Sequence, residues 1–181
     1  MRGLPIIFAV VLCFLAGAIL PGRAGETVLT VAGSVENTNR GAFDPFFDGF
    51  LKYHDKEFDK AFGFDVAALA TLPQQSIKVN ADTEDWPGVL AMEGPLLKDV
   101  LEAAGATGKS VTVYALDGFG LQMDVEKIAA RDWVLAMKVN GEPLGIGGLG
   151  PLWLVYDTGD RVAGEDEEKT WVWSVFYIEA E

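Results

Sequence analysis

Thiol and imidazole are almost missing from this sequence. Its 181 residues hold one cysteine, Cys13, and one histidine, His54. A single histidine excludes a zinc site built from several imidazoles, and its setting among aromatic residues offers no histidine-based triad. With no second thiol there is no intrachain disulfide, so stability must come from packing. Basic residues are scarce too: 14 Lys and Arg face 27 Asp and Glu, for a formal net charge of −13. Such a chain is repelled by phosphate backbones and anionic lipid, which argues against nucleic acid and membrane surfaces as partners. The carboxylates nowhere follow D-x-D-x-D-G spacing, so a calcium loop of that type is excluded. No internal repeat or low-complexity linker interrupts the chain. The nearest thing to a disordered run is 157–170, rich in Gly, Asp and Glu.

What the chain does have begins with an apolar N-terminus. Arg2 precedes an apolar stretch over 4–20, and Gly22 and Ala24 flank a cut before Gly25. That is the three-part build of a secretory signal. An uncleaved anchor is the rival reading, because the stretch is longer than a usual signal core yet short for a membrane span. Val11-Leu12 and Phe14 around Cys13 do not suit lipid attachment. Cleavage removes Cys13, Arg2 and Arg23 and no acid, leaving 12 basic and 27 acidic side chains and a charge of −15. The expected product is a thiol-free periplasmic or secreted protein, residues 25–181, with one domain and no direct membrane binding.

Periodicity then predicts the elements. Residues 27–32 alternate and are β-branched, reading as a strand that ends at Gly33. Residues 65–70 read as a short helix behind Asp65, and 76–79 as a strand. Gly94-Pro95 opens a helix that ends at Gly105. Residues 110–115 form a strand closed by the turn Asp117-Gly118, and Asp124 caps a helix to Ala130. Residues 133–139 form a strand ending in the turn Asn140-Gly141. The last two strands are 152–156 and 171–178, with Trp171, Trp173, Val175 and Tyr177 on one face. This mixture without a βαβ rhythm gives an α+β class, a mainly β core with short helices.

Residues 42–62 stand apart. Phe43, Phe46, Phe47, Phe50 and Tyr53 fall near helical spacing behind Asp44 and Pro45, predicting an amphipathic helix. Its aromatic face either docks on the core or, as the alternative, stays exposed for a partner.

Four stretches carry a family resemblance. The first is Trp86 followed by Gly94-Pro95-Leu96-Leu97-Lys98-Asp99-Val100-Leu101 and Gly105. The second is Val113-Tyr114-Ala115-Leu116-Asp117-Gly118-Phe119. The third is Leu135-Ala136-Met137-Lys138-Val139-Asn140-Gly141-Glu142-Pro143-Leu144. The fourth is Gly150-Pro151-Leu152-Trp153-Leu154-Val155-Tyr156. In this order they resemble the molybdopterin-binding domain of the sulfite oxidase family. The resemblance implies that fold, and the family's enzymes hold molybdenum through a cysteine thiolate that residues 25–181 lack. The fourth stretch looks like a small exported branch whose members bind a pterin without molybdenum. In at least one case a member of that branch reports to a membrane-bound cyclic-di-GMP enzyme. The chain departs from the branch in three places: the acidic residue of the 117–119 turn is displaced by one, 145–149 has no basic residue, and 42–62 is an insert.

The resemblance implies a reduced, metal-free pterin as ligand and makes the molybdenum cofactor unexpected. A pterin is a flat ring with two adjacent N–H donors and a carbonyl acceptor on one edge, read by an aromatic face and a carboxylate. Trp86, a loop aromatic in a polar stretch, is the expected stacking group, and Asp117 the expected clamp, although Asp-Gly is also a common turn former. Tyr114, Phe119, Asn140 and Gly150 would line the pocket, with Gly147-Gly148-Leu149-Gly150 giving either close backbone approach or only a tight loop. Trp133, Trp153, Trp171 and Trp173, on predicted strands, read as core. The expectation is a non-catalytic pterin binder that signals to a membrane-bound protein. The alternatives are a molybdopterin-dependent oxidoreductase or its subunit, and a ligand-free interaction module.

Overall fold

A computed structural model describes residues 25–181; the apolar segment and Cys13 lie outside the described residues. β1 (Leu29–Gly33) forms where expected, with its first four residues buried on both faces. It runs parallel to β11 (Val175–Ala180) and antiparallel to β2 (Ala61–Phe64). β5 (Ser110–Ala115) pairs antiparallel with β11 and with β6 (Gly120–Asp124), giving the order β2-β1-β11-β5-β6. A second sheet has the order β3-β4-β8-β9, from β3 (Gln74–Val79), β4 (Leu90–Pro95), β8 (Lys138–Val139) and β9 (Glu142–Pro143). A third holds β7 (Trp133–Ala136) against β10 (Trp153–Tyr156). The helices are short: α1 (Gly49–Tyr53), α2 (Val66–Thr71), α3 (Leu97–Ala103), α4 (Val125–Ala129) and α5 (Glu165–Glu168). The α+β class with a mainly β core holds.

One apolar core ties the three sheets together, built on Leu29, Val31, Met92, Leu97, Val113, Leu135, Leu154 and Ile178. Asp65 caps α2 as its position predicts, its carboxylate accepting from Ala68 N at 2.7 Å. Two backbone N–H donors, from Ala68 and Gly25, hold that carboxyl below the usual range.

Several elements differ from the sequence reading. Gly94-Pro95 ends a strand instead of opening a helix. Leu90, Met92 and Gly94 are buried against the core, and the whole of β4 is paired with β3. Glycine is required there, because a Cβ would sit 2.0 Å from the Leu135 carbonyl oxygen of β7. The predicted strand 133–139 breaks at Met137, so that β7 pairs with β10 while β8 turns to β4 and β9. Asn140 and Gly141 both take positive φ, 51° and 83°, as a two-residue hairpin turn demands. The ladder predicted from 171 starts only at Val175, because Ser174 adopts φ 53°.

The aromatic insert departs furthest. Only Gly49–Tyr53 is helical, and the chain has become β2 by Ala61. Asp44 forms a turn: its Oδ1 accepts from Phe46 N and Phe47 N at 2.8 and 2.9 Å. The docking contacts come from Leu51 and Phe58, which pack on Ala32, Phe176 and Tyr177, and of the expected face only Phe43, against Phe58, and Phe50, against Phe176, join them. The face expected to dock is largely in solvent, with Phe46, Phe47 and Tyr53 each more than 80% exposed.

Candidate functional site

Three loops meet beyond the end of β5. Leu116 N donates to Ser174 O at 3.1 Å, joining the turn after β5 to the segment before β11. Ser174 Oγ donates to Leu149 O at 3.3 Å, and Trp153 Nε1 donates to the same carbonyl, adding the glycine-rich loop. Gly150 N closes that loop on Gly145 O at 3.0 Å. Gly150 is buried, and a Cβ there would lie 2.6 Å from the Leu144 carbonyl carbon. Glycine at 150 is thus required by the tight loop.

Trp86 lies on this junction. Its ring centre is 6.2, 6.1 and 6.4 Å from those of Trp153, Trp171 and Trp173. Trp153 and Trp173 stack at 5.1 Å with 20° between planes. Trp86 is half-buried, and its Nε1 donates to Gly88 O at 2.6 Å. Trp173 corrects the sequence reading. It is off the ladder and 40% exposed, while Trp153 and Trp171 are buried as expected. The φ reversal at Ser174 ends the strand alternation, and the only sequence hint was a second indole two residues after the first. Leu149 and Ile146 add exposed apolar surface on the glycine-rich loop. Trp171 Nε1 is buried without a protein partner, a donor left over inside the indole cluster.

The Trp86 loop is held by the segment 157–170, which composition marked as the most disordered. Ala163 N donates to Asn80 O at 2.8 Å, and Glu168 accepts from Asp82 N and the Thr83 hydroxyl. α5 is fixed in turn by Glu167, which takes both Arg161 nitrogens at 2.6 and 2.9 Å and the Tyr156 hydroxyl at 3.1 Å. The Arg161 guanidinium, aided by the Gly164 N–H and the Tyr156 hydroxyl, pulls the Glu167 carboxyl down to about 2. The run is acidic because its carboxylates are the fastening points.

The other expected site residues scatter. Asp117 is exposed at the rim of the junction, and its Oδ1 accepts from Phe119 N at 2.9 Å, the turn-forming bond. Phe119 follows it, 46% exposed. Tyr114 turns toward the insert, with its ring 5.9 Å from Tyr177 and Lys56 Nζ 3.5 Å from its centre. Asn140 is a hairpin residue whose Oδ1 accepts from Ala91 N at 3.0 Å. Among the described residues no hydrogen bond or ring contact joins Trp86 to Asp117, Tyr114, Phe119 or Asn140. Trp86 and Gly150 thus share one side of the junction through Trp153 and Leu149, Asp117 and Phe119 form its rim, and Tyr114 and Asn140 serve other neighbourhoods.

A cleft of about 540 Å³ runs from the junction toward the insert, between Leu116, Ile146 and Pro151 on one side and Phe47, Phe50 and Phe176 on the other. Its one guanidinium, Arg40, is engaged by Asp48 and the Thr30 hydroxyl. Sequence reasoning did not find this cleft, because Arg40 precedes the insert and carries no motif.

The donor set can be weighed against a metal-bearing pterin cofactor. No described residue is a cysteine, so the thiolate is not supplied. His54 is enclosed by the rings of Phe50, Tyr53 and Phe176. The cleft's guanidinium, Arg40, is committed to Asp48, and Lys56 to Glu179 and the Tyr114 ring. These residues do not fit a metal with its terminal phosphate. Of the four indoles, half-buried Trp86 and 40% exposed Trp173 leave ring surface open at the junction, and the Asp117 carboxylate lies at its rim.

No curated protein matches the chain. The sequence pattern of the oxidoreductase molybdopterin binding domain matches residues 55–156, more than half of the chain, and it spans β2 to β10 with the Trp86 loop, the 117–119 turn and the glycine-rich loop inside it. The chain belongs to the oxidoreductase molybdopterin binding domain family.

Proposed function

We propose that this protein is an exported, non-catalytic member of its family. It binds a reduced pterin without molybdenum and passes its ligand state to a membrane-bound signalling protein, of which a cyclic-di-GMP enzyme is one candidate. The observation that carries the reading is a pairing of opposites. The family is built around a molybdopterin, yet the one thiol of the chain is Cys13, inside the segment that reads as an export signal. What the fold offers in place of a metal ligand is an aromatic wall. In this reading Trp86 and Trp173 stack on the pterin, and Asp117 takes its amino edge by exchanging its bond to Phe119 N for two ligand N–H donors.

Base–aromatic stacking is worth roughly 1–3 kcal/mol by alanine substitution. Titration of the purified domain with tetrahydrobiopterin, followed by tryptophan fluorescence, is therefore expected to weaken about tenfold or more in both W86A and D117A. Unchanged affinity in both variants would remove the site assignment while leaving the ligand class open.

A further inference from the structure

We propose that the exposed aromatic tip of the insert is a protein-docking surface, and that its partner presents an apolar groove with a basic rim. The proposal specifies where the signalling partner of the preceding reading would dock, and it rests on that reading only for the existence of a partner. Phe46 is 83% exposed, Phe47 84%, Tyr53 81% and Phe50 49%, all within eight residues. Aromatic side chains bring roughly 150–250 Å² each. At these exposures the four amount to about 450–740 Å², at or above the upper end of the largest apolar patch of an ordinary monomer, about 300–600 Å², and most of the roughly 800 Å² that one side of a standard interface buries.

The tip is pre-formed. Asp44 holds the backbone of Phe46 and Phe47, Asp48 accepts from Asp44 N at 2.9 Å, and Arg40 pins Asp48. A surface already ordered loses little entropy on binding. Phe50 packs edge-on against Phe176 at 5.2 Å, whereas Phe46 and Phe47, kept in place by a hydrogen-bonded turn, are not the outcome of packing on this domain, because Leu51 and Phe58 do that.

Charge selects among occupants. The insert carries the exposed acids Asp44, Asp55, Glu57 and Asp59 against the exposed Lys52 and Lys60, and residues 25–181 carry −15. That field repels a second copy of the chain and an anionic lipid surface alike, and attracts a basic protein face. The tip also leads back to the junction. Tyr53 and Phe50 contact the His54 ring at 5.2 and 4.6 Å, and His54 lies beneath Gly118, next to Asp117. The ligand rim and the docking tip are two faces of one packed unit.

The test uses the full chain in its own cells. A photoreactive phenylalanine is placed at Phe46 and, as a control on exposed surface outside the insert, at Val125. The protein joined at 46 and not at 125 is identified, and its exported domain is titrated with purified wild type and with F46A/F47A. The expected results are one protein adduct from 46, an affinity that falls as salt rises, and at least a tenfold loss in the double variant, whose thermal midpoint is unchanged. Adducts only with a second copy or with lipid, no protein adduct, or equal affinity of the double variant would overturn the proposal. If docking depends on Phe46 and Phe47 while no pterin binds, the ligand reading fails and this surface stands.

Discussion

At the scale of single residues, position decides more than type. Asp117 was singled out by its motif, and in the structure its carboxylate holds a turn; Trp173 was set aside as core, and it is an exposed wall of the junction. Both outcomes follow from backbone geometry that a residue name does not carry: the turn at Gly118 with φ 92°, and the positive φ of Ser174. Trp86 was legible because an indole in a run of polar residues has no strand or helix face to bury it. The absence of a thiol among residues 25–181 was legible by counting. Gly94 shows the same dependence in the core. Alanine there would drive its Cβ into the backbone of Leu135 and Ala136, atoms that cannot swing aside. G94A should lose about 4 kcal/mol or more, a large share of a typical domain's stability. G49A, at a site with open space, should be neutral or slightly stabilising. Urea denaturation of the two variants beside wild type checks both, and a G94A as stable as G49A would mean that β4 and β7 are not in that contact.

At the scale of elements, the sequence revealed strands that alternate and missed those that do not. β1, β3 and β5 were readable because β-branched runs end at turn residues. β4 was hidden because its terminal Gly-Pro is also a helix-opening signal, and only the pairing with β3 shows which use prevails. β6 was hidden by its small and polar residues, since an edge strand needs no apolar run. The segment 157–170 reads from composition as the nearest thing to a disordered run, and it is ordered. Its carboxylates form bonds that fasten α5 and the Trp86 loop, and composition cannot distinguish a solvated charge from a fastened one. Glu167 makes this measurable. Its folded pKa of about 2 lies below the ordinary 4.5, so ionised Glu167 favours the folded state. That contribution is complete above about pH 4.5 and is lost as pH falls toward 2. E167Q should therefore melt below wild type at pH 7, and the gap between the two midpoints should close as pH is lowered from about 4.5 to 2. A gap that is the same at pH 7 and pH 2.5 would show that the Arg161 and Tyr156 bonds do not carry it.

At the scale of the whole molecule, the sequence conveyed the class, the family and the missing ligand, while the structure supplied the relation among the parts. The family pattern covers 55–156, yet the junction is completed by Trp171 and Trp173 from beyond it, and the cleft by Arg40, Phe47 and Phe50 from before it. Those contributions come from separate stretches of chain, brought together by the parallel pairing of β1 with β11. Such a long-range pairing leaves no local mark in sequence. The result is an acidic domain with a family scaffold, a cluster of four indoles at a loop junction, and no thiol among residues 25–181. The account's central claim is that the ligand is a pterin carried without molybdenum. It is tested most directly on protein exported and purified from its own compartment, denatured, with released pterin measured by fluorescence after oxidation and molybdenum counted in the same sample. The account predicts close to one pterin per chain and molybdenum at background. Molybdenum in equal amount with the pterin would contradict it and return the protein to the oxidoreductases of its family.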